Sequence, residues 1–321
     1  MLKSTKTPTR LTPIKPGTWA YAAKRLRESW PWYLMLVPAV IYLFIFDYIP
    51  MYGLLMAFEK YKATKGIMGS PFVGFKHFER YFTYPFFWKM VRNTLSITTL
   101  SLCTFPCSII FALFLNEVTQ TKFKKFAQMI SYMPHFLSEV VVVSLVLLLL
   151  DLNNGPVNNV IEMLGGDRYY FMGDPDIFPM IYVAQSLWQG LGWGAILYIS
   201  ALSAVPTEQI EAARIDGASR FQIMWHINLP TILPTIMITF VMRIGSLLSL
   251  GYTRLLLFAN PLNAEVINTI SMYVYSVGLG SGGYSDYSYA TAIGLVNSLV
   301  NLSLLMIFNK ISKKLTEVSL F

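Results

Sequence analysis

The side chains of this chain that could bind a ligand lie inside one of its most apolar stretches, "TILPTIMITFVMRIGSLLSLGYTRLLLF" (231–258). On a continuous helix, polar residues at intervals of 4, 3, 3 and 4 fall along one face. These residues are Thr239, Arg243, Ser246, Ser249 and Thr253. One interpretation is a seam between helices that uses small hydroxyls, and the other is a polar path for a solute. Arg243 favours the path, because an arginine among apolar residues is costly unless it faces water, a partner or a ligand.

Motifs for enzymatic chemistry are missing from the sequence. The run "GSPFVGFK" (69–76) has Phe75 where a phosphate-binding loop needs Lys after its second Gly, and no G-x-S-x-G occurs. Cys103 and Cys107 lie four apart in one apolar stretch, which would place them on one helix face as packing residues. The three histidines are scattered. We therefore expect no catalytic residue, no metal and no cofactor.

The composition predicts a protein that crosses a membrane several times. Of 321 residues, 55% are hydrophobic and only 13% are charged, and the mean hydropathy is +0.50. A soluble domain of this size needs more charge to cover its surface. The net charge of +8 comes from basic residues in short segments flanking apolar runs. This distribution indicates contact with membrane lipid rather than nucleic acid.

Six apolar stretches are long enough to cross a bilayer, at about 20 residues each. They lie at roughly 33–57, 93–115, 127–150, 179–204, 231–258 and 289–309. With the N-terminus inside, the cytoplasmic segments hold 15 basic residues and the outer segments hold eight, so the positive-inside rule favours both termini in the cytoplasm. The expected organisation is a cytoplasmic tail (1–32), a membrane domain (33–309) with a cytoplasmic loop at 205–230, and a second tail (310–321).

The loop at 205–230 is polar and reads as two short helices. Pro206 ends the fourth span, Thr207 is the expected N-cap, and Gly217 marks the reversal. Phe221 and Trp225 then recur at helical spacing and form an apolar ridge with Ala218. A plain connection needs about 2–8 residues. The length and the exposed aromatic residues favour docking to a partner over a loop that lies on the membrane surface.

The stretch "EAARIDGASRFQIMWHINLP" (211–230) resembles the EAA loop of permeases from ATP-binding-cassette (ABC) importers. The matching positions are Glu211, Ala212, Ala213, Asp216, Gly217, Ala218, Ile227, Leu229 and Pro230. The usual aromatic position near the end is Met224 here, with Trp225 beside it. The resemblance implies an all-α, six-helix type I importer permease fold. It also implies that the loop seats in a cleft of an ATP-hydrolysing subunit.

The resemblance implies partners as well as a fold. It predicts a homologous second permease forming a heterodimer, two cytoplasmic ATPase subunits that bind the ATP, and an extracellular solute-binding lipoprotein. The expected location is the plasma (inner) membrane. A self-contained secondary carrier is the alternative, and Asp47 in the first span is the residue that such a carrier could use for ion coupling. A membrane scaffold without transport activity is a third reading.

Several other segments narrow the resemblance to carbohydrate uptake. "MPHFLSEVVV" (133–142), "NNGPVNNVIEMLGG" (153–166) and "WQGLGWGAILYISAL" (188–202) are similar to permeases that import oligosaccharides from complex polysaccharides, including pectin-derived rhamnogalacturonan fragments. Positions 253 and 254 often hold an acid and Gln in that branch, whereas this chain has Thr253 and Arg254. Arg254 either extends to the membrane interface or helps to admit a uronate carboxylate.

Overall fold

The computed structural model describes residues 19–280, 285–316 and 320, and those residues are helical apart from turns and loops. In the described part there is no strand, only two isolated bridges, Glu59 with Phe72 and Lys62 with Gly66. The expected all-α class is confirmed. Parts of both expected tails, residues 1–18, 317–319 and 321, lie outside the described residues, as does 281–284 of the last outer loop. The chain divides into two units, Met1–Leu55 and Met56–Phe321.

The first unit is one long helical segment. Helix α1 spans Trp19–Leu43 and is followed by a π-helical turn, Phe44–Tyr48, and by α2, Ile49–Met51. From Tyr52 the chain continues as a 3₁₀ helix to Phe58. Leu26–Phe58 has the length and hydropathy of a membrane span, and its side chains in this unit are exposed. Such a surface suits lipid or a partner helix rather than water.

The second unit begins with a loop, α3 (Lys76–Phe82) and a span broken in its middle. Helix α4, Phe87–Cys103, and helix α5, Phe105–Glu117, meet at Thr104. Pro106 lies at the start of α5, where its missing N–H is tolerated. Together they form the expected second span, Phe87–Glu117. Cys103 ends α4, and Cys107 lies in the first turn of α5.

The third and fourth spans are bent. Helix α6 (Thr121–Tyr132), with a 3₁₀ turn through Phe136, makes an angle of 100° with α7 (Glu139–Leu149). Leu137 is extended at the bend, and the Ser138 hydroxyl caps α7 by accepting from the Val141 N–H. After α8 (Pro156–Met163) and a 3₁₀ turn (Phe171–Gly173), α9 runs Phe178–Leu202. An 80° bend then leads into α10, Thr207–Ile215.

The fifth span differs from the expectation at both ends. Helix α11 (Arg220–Ile223), a π-helical turn (Met224–Asn228) and α12 (Leu229–Gly245) form one span, Arg220–Gly245. Pro230, the last residue of the expected cytoplasmic loop, therefore lies inside this span, at the start of α12. Beyond Gly245 the chain turns, and α13 (Tyr252–Phe258) is a separate helix.

The unit ends with α14 (Ala264–Ile267), α15 (Ile270–Leu279) and α16 (Tyr287–Thr316). Lys89 of α4 pairs with Glu265 of α14, and its hydrogen bond and charge hold the pKa of Glu265 below the usual range. In the described residues, four helices pass as membrane spans, or six if each bent pair is one span. Three buried apolar clusters hold the unit together, and α9 contributes to two of them.

Candidate translocation cavity and coupling hairpin

A cavity of about 760 Å³ opens among α4, α5, α9 and α12. Five of the six residues expected along a solute path line it: Thr239, Arg243, Ser246, Ser249 and Arg254. Thr253 is not part of the lining. The rest of the wall mixes hydroxyls with aromatic and apolar side chains, including Ser101, Ser108, Tyr182, Ser186, Trp193 and Tyr198.

The polar residues of the cavity do not lie on one face of a single helix, as their spacing predicted. The spacing assumed one continuous helix, but α12 ends at Gly245 and Ser246 caps it with a non-helical ψ of 15°. Ser249 lies in the turn that follows, and Arg254 lies on α13. Close packing accompanies the break: a Cβ on Gly245 would approach Leu305 Cδ1 of α16 to 2.5 Å. The residues share a cavity because the chain folds around it, not because they share a helix face.

Arg254 is held by side chains of two other helices. Its Nε donates to Glu139 of α7 and Nη1 donates to Ser186 of α9. The guanidinium carbon lies 5.4 Å from the centre of the Tyr182 ring, and the arginine and glutamate side chains are 20% and 34% exposed. Through these contacts Arg254 connects α13 with α7 and α9 at one wall of the cavity.

Arg243 has a different environment. Its Nη2 donates to the Ser101 hydroxyl at 2.7 Å and to the Ser101 carbonyl at 3.2 Å. Among the described residues no carboxylate lies within 4.0 Å of it, and the residue is exposed. Ser101 lies in the last turn of α4 and Arg243 in the last turn of α12. The negative ends of two helices thus stabilise this cation without an acid.

Other groups in the wall suit a hydroxylated ligand. The hydroxyls of Tyr198 and Thr239 lie 2.8 Å apart. Trp193 stacks on His135 with ring centroids 4.3 Å apart and leaves its other surface half exposed. Hydroxyls that donate and accept, next to aromatic faces, are groups that orient a polar ligand with apolar faces.

Sequence reasoning missed part of the cavity. Glu139, Ser101, Tyr182 and Ser186 were not selected, although they position or pair the two arginines. One signal was available for Glu139, which is an acid at the start of the apolar run "EVVVVSLVLLL". An acid so placed needs a partner of opposite charge, and Arg254 was a candidate. The serines gave no signal, because hydroxyls are common in membrane helices.

The hairpin of α10 and α11 contains the remaining expected site residues. Glu211, Ala212 and Ala213 lie on α10, and Asp216 is its C-cap. Gly217 has φ of +80°, in the left-handed region that favours glycine. The Ala218 N–H donates to the Ala213 carbonyl at 2.9 Å, and the Gly217 N–H donates to the Arg214 carbonyl at 3.1 Å. This pair of bonds is a Schellman motif, which confirms the reversal at Gly217. Pro206, not Thr207, is the N-cap of α10.

The second leg of the hairpin presents an aromatic pair. A capping box between Ser219 and Gln222 starts α11. Phe221 and Trp225 then stack at 6.4 Å with an interplanar angle of 12°. Their exposed fractions are 64% and 56%, whereas that of Met224 is 6%. Trp225 therefore faces outward, and Met224 belongs to the core.

The core beneath the hairpin continues into the membrane helices. Met224 packs in one cluster with Leu202 and Tyr198 of α9 and Ile232 of α12. Ile210, Ile227 and Leu229 pack against the same cluster, while Pro230 is exposed. The Asn228 amide donates to Glu117 at the end of α5 at 3.3 Å. Since Tyr198 also lines the cavity, the hairpin and the cavity share a continuous packed core.

Comparison with known proteins agrees with this arrangement. The family described as "Binding-protein-dependent transport system inner membrane component" matches residues 104–317. Protein LplB of Bacillus subtilis (strain 168) is 42% identical over 97% of this chain and 96% of its own length. The polygalacturonan/rhamnogalacturonan transport system permease protein YteP of the same organism is 41% identical over 90% of this chain and 89% of its own.

Solved structures give the same result. A chain from a bacterial alginate ABC transporter, in complex with an alginate pentasaccharide-bound periplasmic protein, has a TM-score of 0.83. It is 36% identical to this chain, and the match covers 92% of this chain and 99% of that one. The type I permease fold and a membrane protein of several spans are thereby shown, and the chain belongs to the family of binding-protein-dependent transport system inner membrane components.

Proposed function

We propose that the chain is the permease subunit of an ABC importer that takes up oligosaccharides released from acidic polysaccharides. The observation that carries the proposal is a hydroxyl-lined cavity with two arginines and a single acid in its wall. This excess of positive charge favours an anionic solute. Relatives are named for polygalacturonan/rhamnogalacturonan transport and for alginate import, and both names refer to acidic polysaccharides.

The assembly that we propose has four kinds of component. This chain pairs with a homologous second permease in the plasma (inner) membrane and contacts membrane lipid. A solute-binding lipoprotein delivers the sugar from outside, and two ATPase subunits bind ATP on the cytoplasmic side. The chain itself has no phosphate-binding loop, so it needs no cofactor of its own. The printed family description, a binding-protein-dependent transport system, supports a separate binding protein.

In this proposal the hairpin transmits motion from the ATPases. Glu211, Asp216 and the Phe221–Trp225 pair are exposed and would contact the ATPase cleft. Arg220–Gly245 is one helical segment, so a displacement of Trp225 moves Thr239 and Arg243 with it. Rocking of this segment against α9 then opens the cavity toward one side or the other.

Uptake by intact cells tests the proposal. Cells lacking only this chain are supplied with labelled tri-galacturonate and complemented with the wild-type chain or with Glu211→Lys. The wild type restores uptake. Glu211→Lys reverses the charge at the coupling surface and restores less than about a tenth, which corresponds to a loss of about 1.4 kcal/mol or more. Equal uptake with and without the wild-type chain would refute the proposed substrate class. Full uptake with Glu211→Lys would refute the coupling role.

A further inference from the structure

The two arginines of the cavity differ in their partners. Glu139 neutralises Arg254, whereas Arg243 has no acidic partner among the described residues. We propose that Arg243 is the residue that binds the carboxylate of a uronate during translocation, and that Arg254 positions the cavity wall. The inference rests on the proposed function. Within it, Arg243 gives the permease its preference for acidic sugars.

Hydrogen bonding leaves the Arg243 guanidinium available to a ligand. Both bonds to Ser101 use Nη2, and the structure gives Nε and Nη1 no hydrogen-bond partner within the described ranges. Of the five N–H donors of an arginine, those of Nε and Nη1 therefore remain free to donate charge-assisted hydrogen bonds to a carboxylate. The bonds to Ser101 fix the orientation of the guanidinium, so less side-chain entropy is lost when a ligand binds.

The charge distribution of the lining points to the same residue. Its charged side chains are Glu139, Arg243 and Arg254. With Glu139 and Arg254 paired, Arg243 provides the net positive charge of the wall. The ends of α4 and α12 carry only partial dipole charges and supply no formal negative charge to the wall. A carboxylate at this position would complete the neutralisation, and it could leave again because no second cation holds it.

Arg254 is a weaker candidate for binding the carboxylate, because its charge is already paired with Glu139. A uronate that bound Arg254 would compete with Glu139, whose carboxylate already accepts from Nε. It would also bring a second negative charge next to Glu139, and like charges at short range repel. The pair is better suited to hold α7 against α13 than to bind an anion. The earlier expectation of a uronate at Arg254 is therefore replaced by Arg243.

The test compares two trisaccharides that differ only in charge. Vesicles contain the full assembly with either the wild-type chain, Arg243→Gln, Arg243→Lys or Arg254→Gln. The probes are labelled tri-galacturonate and the same trisaccharide with its carboxyls reduced to alcohols. Lys122→Gln serves as the control, because Lys122 is exposed on α6 outside the cavity and its loss changes the net charge equally.

For Arg243→Gln we expect the ratio of acidic to neutral uptake to fall about tenfold or more, equivalent to roughly 1.4 kcal/mol. Arg243→Lys retains an intermediate ratio, because it keeps the charge without the fork. Uptake of the neutral probe and ATP hydrolysis stimulated by the loaded binding protein verify that the variants fold and dock. An unchanged ratio in Arg243→Gln, or a fall in Arg254→Gln alone, overturns the inference. If the wild-type vesicles take up neither sugar, the proposed function itself is refuted.

Discussion

At the scale of single residues, the cavity shows two ways of keeping an arginine inside a membrane domain. Arg254 is paired with Glu139 and packed over Tyr182. Arg243 is held by Ser101 and by the ends of two helices. Either arrangement lowers the cost of a charge away from bulk water, but only the second leaves donors for a ligand. We therefore expect substitution of Arg254 to change the stability of the protein and substitution of Arg243 to change the uptake of acidic sugars.

Removing one member of the ion pair should destabilise the protein more than removing both. Arg254→Gln leaves Glu139 without its partner, and Glu139→Gln/Arg254→Gln removes both charges. Breaking a buried pair costs about 3–5 kcal/mol, and partial exposure of the two side chains reduces this to roughly 1–2 kcal/mol here.

Thermal unfolding of the purified chain in detergent, followed by intrinsic tryptophan fluorescence, checks this expectation. The single variant should show the lower midpoint, and the double variant should return toward the wild type. A double variant that is less stable than the single one would mean that the pair is not the structural contact assigned here.

The residue types of this site were partly predictable from the sequence. Arg243 stood out because a charge in an apolar run needs water, a partner or a ligand, and the structure places it in the cavity wall. Arg254 was predicted near the outer end of a span that in fact stops nine residues earlier, at Gly245, so its surroundings could not be inferred. Ser101 could not have been found, because its role depends on the break between α4 and α5.

At the scale of elements, the hairpin combines an exposed aromatic pair with a buried base. Phe221 and Trp225 lie outward, while Ile223 and Met224 are buried. The π-helical turn at Met224–Asn228 joins the two parts within one continuous segment. Because no loop interrupts this segment, a displacement of the hairpin can pass along it to the cavity wall. We expect that the aromatic pair determines binding of the ATPase and that the buried pair determines folding.

Substitution of the aromatic pair should therefore separate assembly from stability. Phe221→Ala/Trp225→Ala removes exposed side chains, so the free energy of unfolding should change by less than about 1 kcal/mol. Its affinity for the ATPase subunits should fall about tenfold or more, as expected for aromatic anchors of an interface. Co-purification from mild detergent measures retained ATPase, and Met163→Ala, an exposed apolar residue on α8, is the matched control. Full retention of the ATPase by the double variant would contradict the docking role.

The hairpin was predicted more accurately than the spans around it. Its polar residues and its glycine are local signals, and Gly217 reverses the chain as predicted, although the predicted N-cap Thr207 is wrong by one residue. The breaks at Thr104 and after Gly245 lie within long stretches of high hydropathy, and hydropathy is the same for a straight and a broken helix. At the second break Gly245 also closely approaches Leu305, a tertiary contact that the sequence does not reveal.

At the scale of the whole protein, Met56–Phe321 connects the exposed aromatic pair of the hairpin with a polar cavity through one packed core. Tyr198 belongs both to the core beneath the hairpin and to the cavity wall. Packed interiors shift between discrete arrangements rather than deforming smoothly, so a displacement at one end can change the other. The first unit ends at Leu55 and adds an exposed apolar surface that suits lipid or another helix.

ATP-driven import of acidic oligosaccharides is tested most directly by uptake of labelled tri-galacturonate into vesicles that contain the complete purified assembly. We predict uptake that requires the loaded binding protein and internal ATP, and that stops when ATP is replaced by a non-hydrolysable analogue. Uptake by vesicles that contain this chain without ATPase subunits, driven by an ion gradient alone, would contradict ATP-driven import and favour a self-contained carrier.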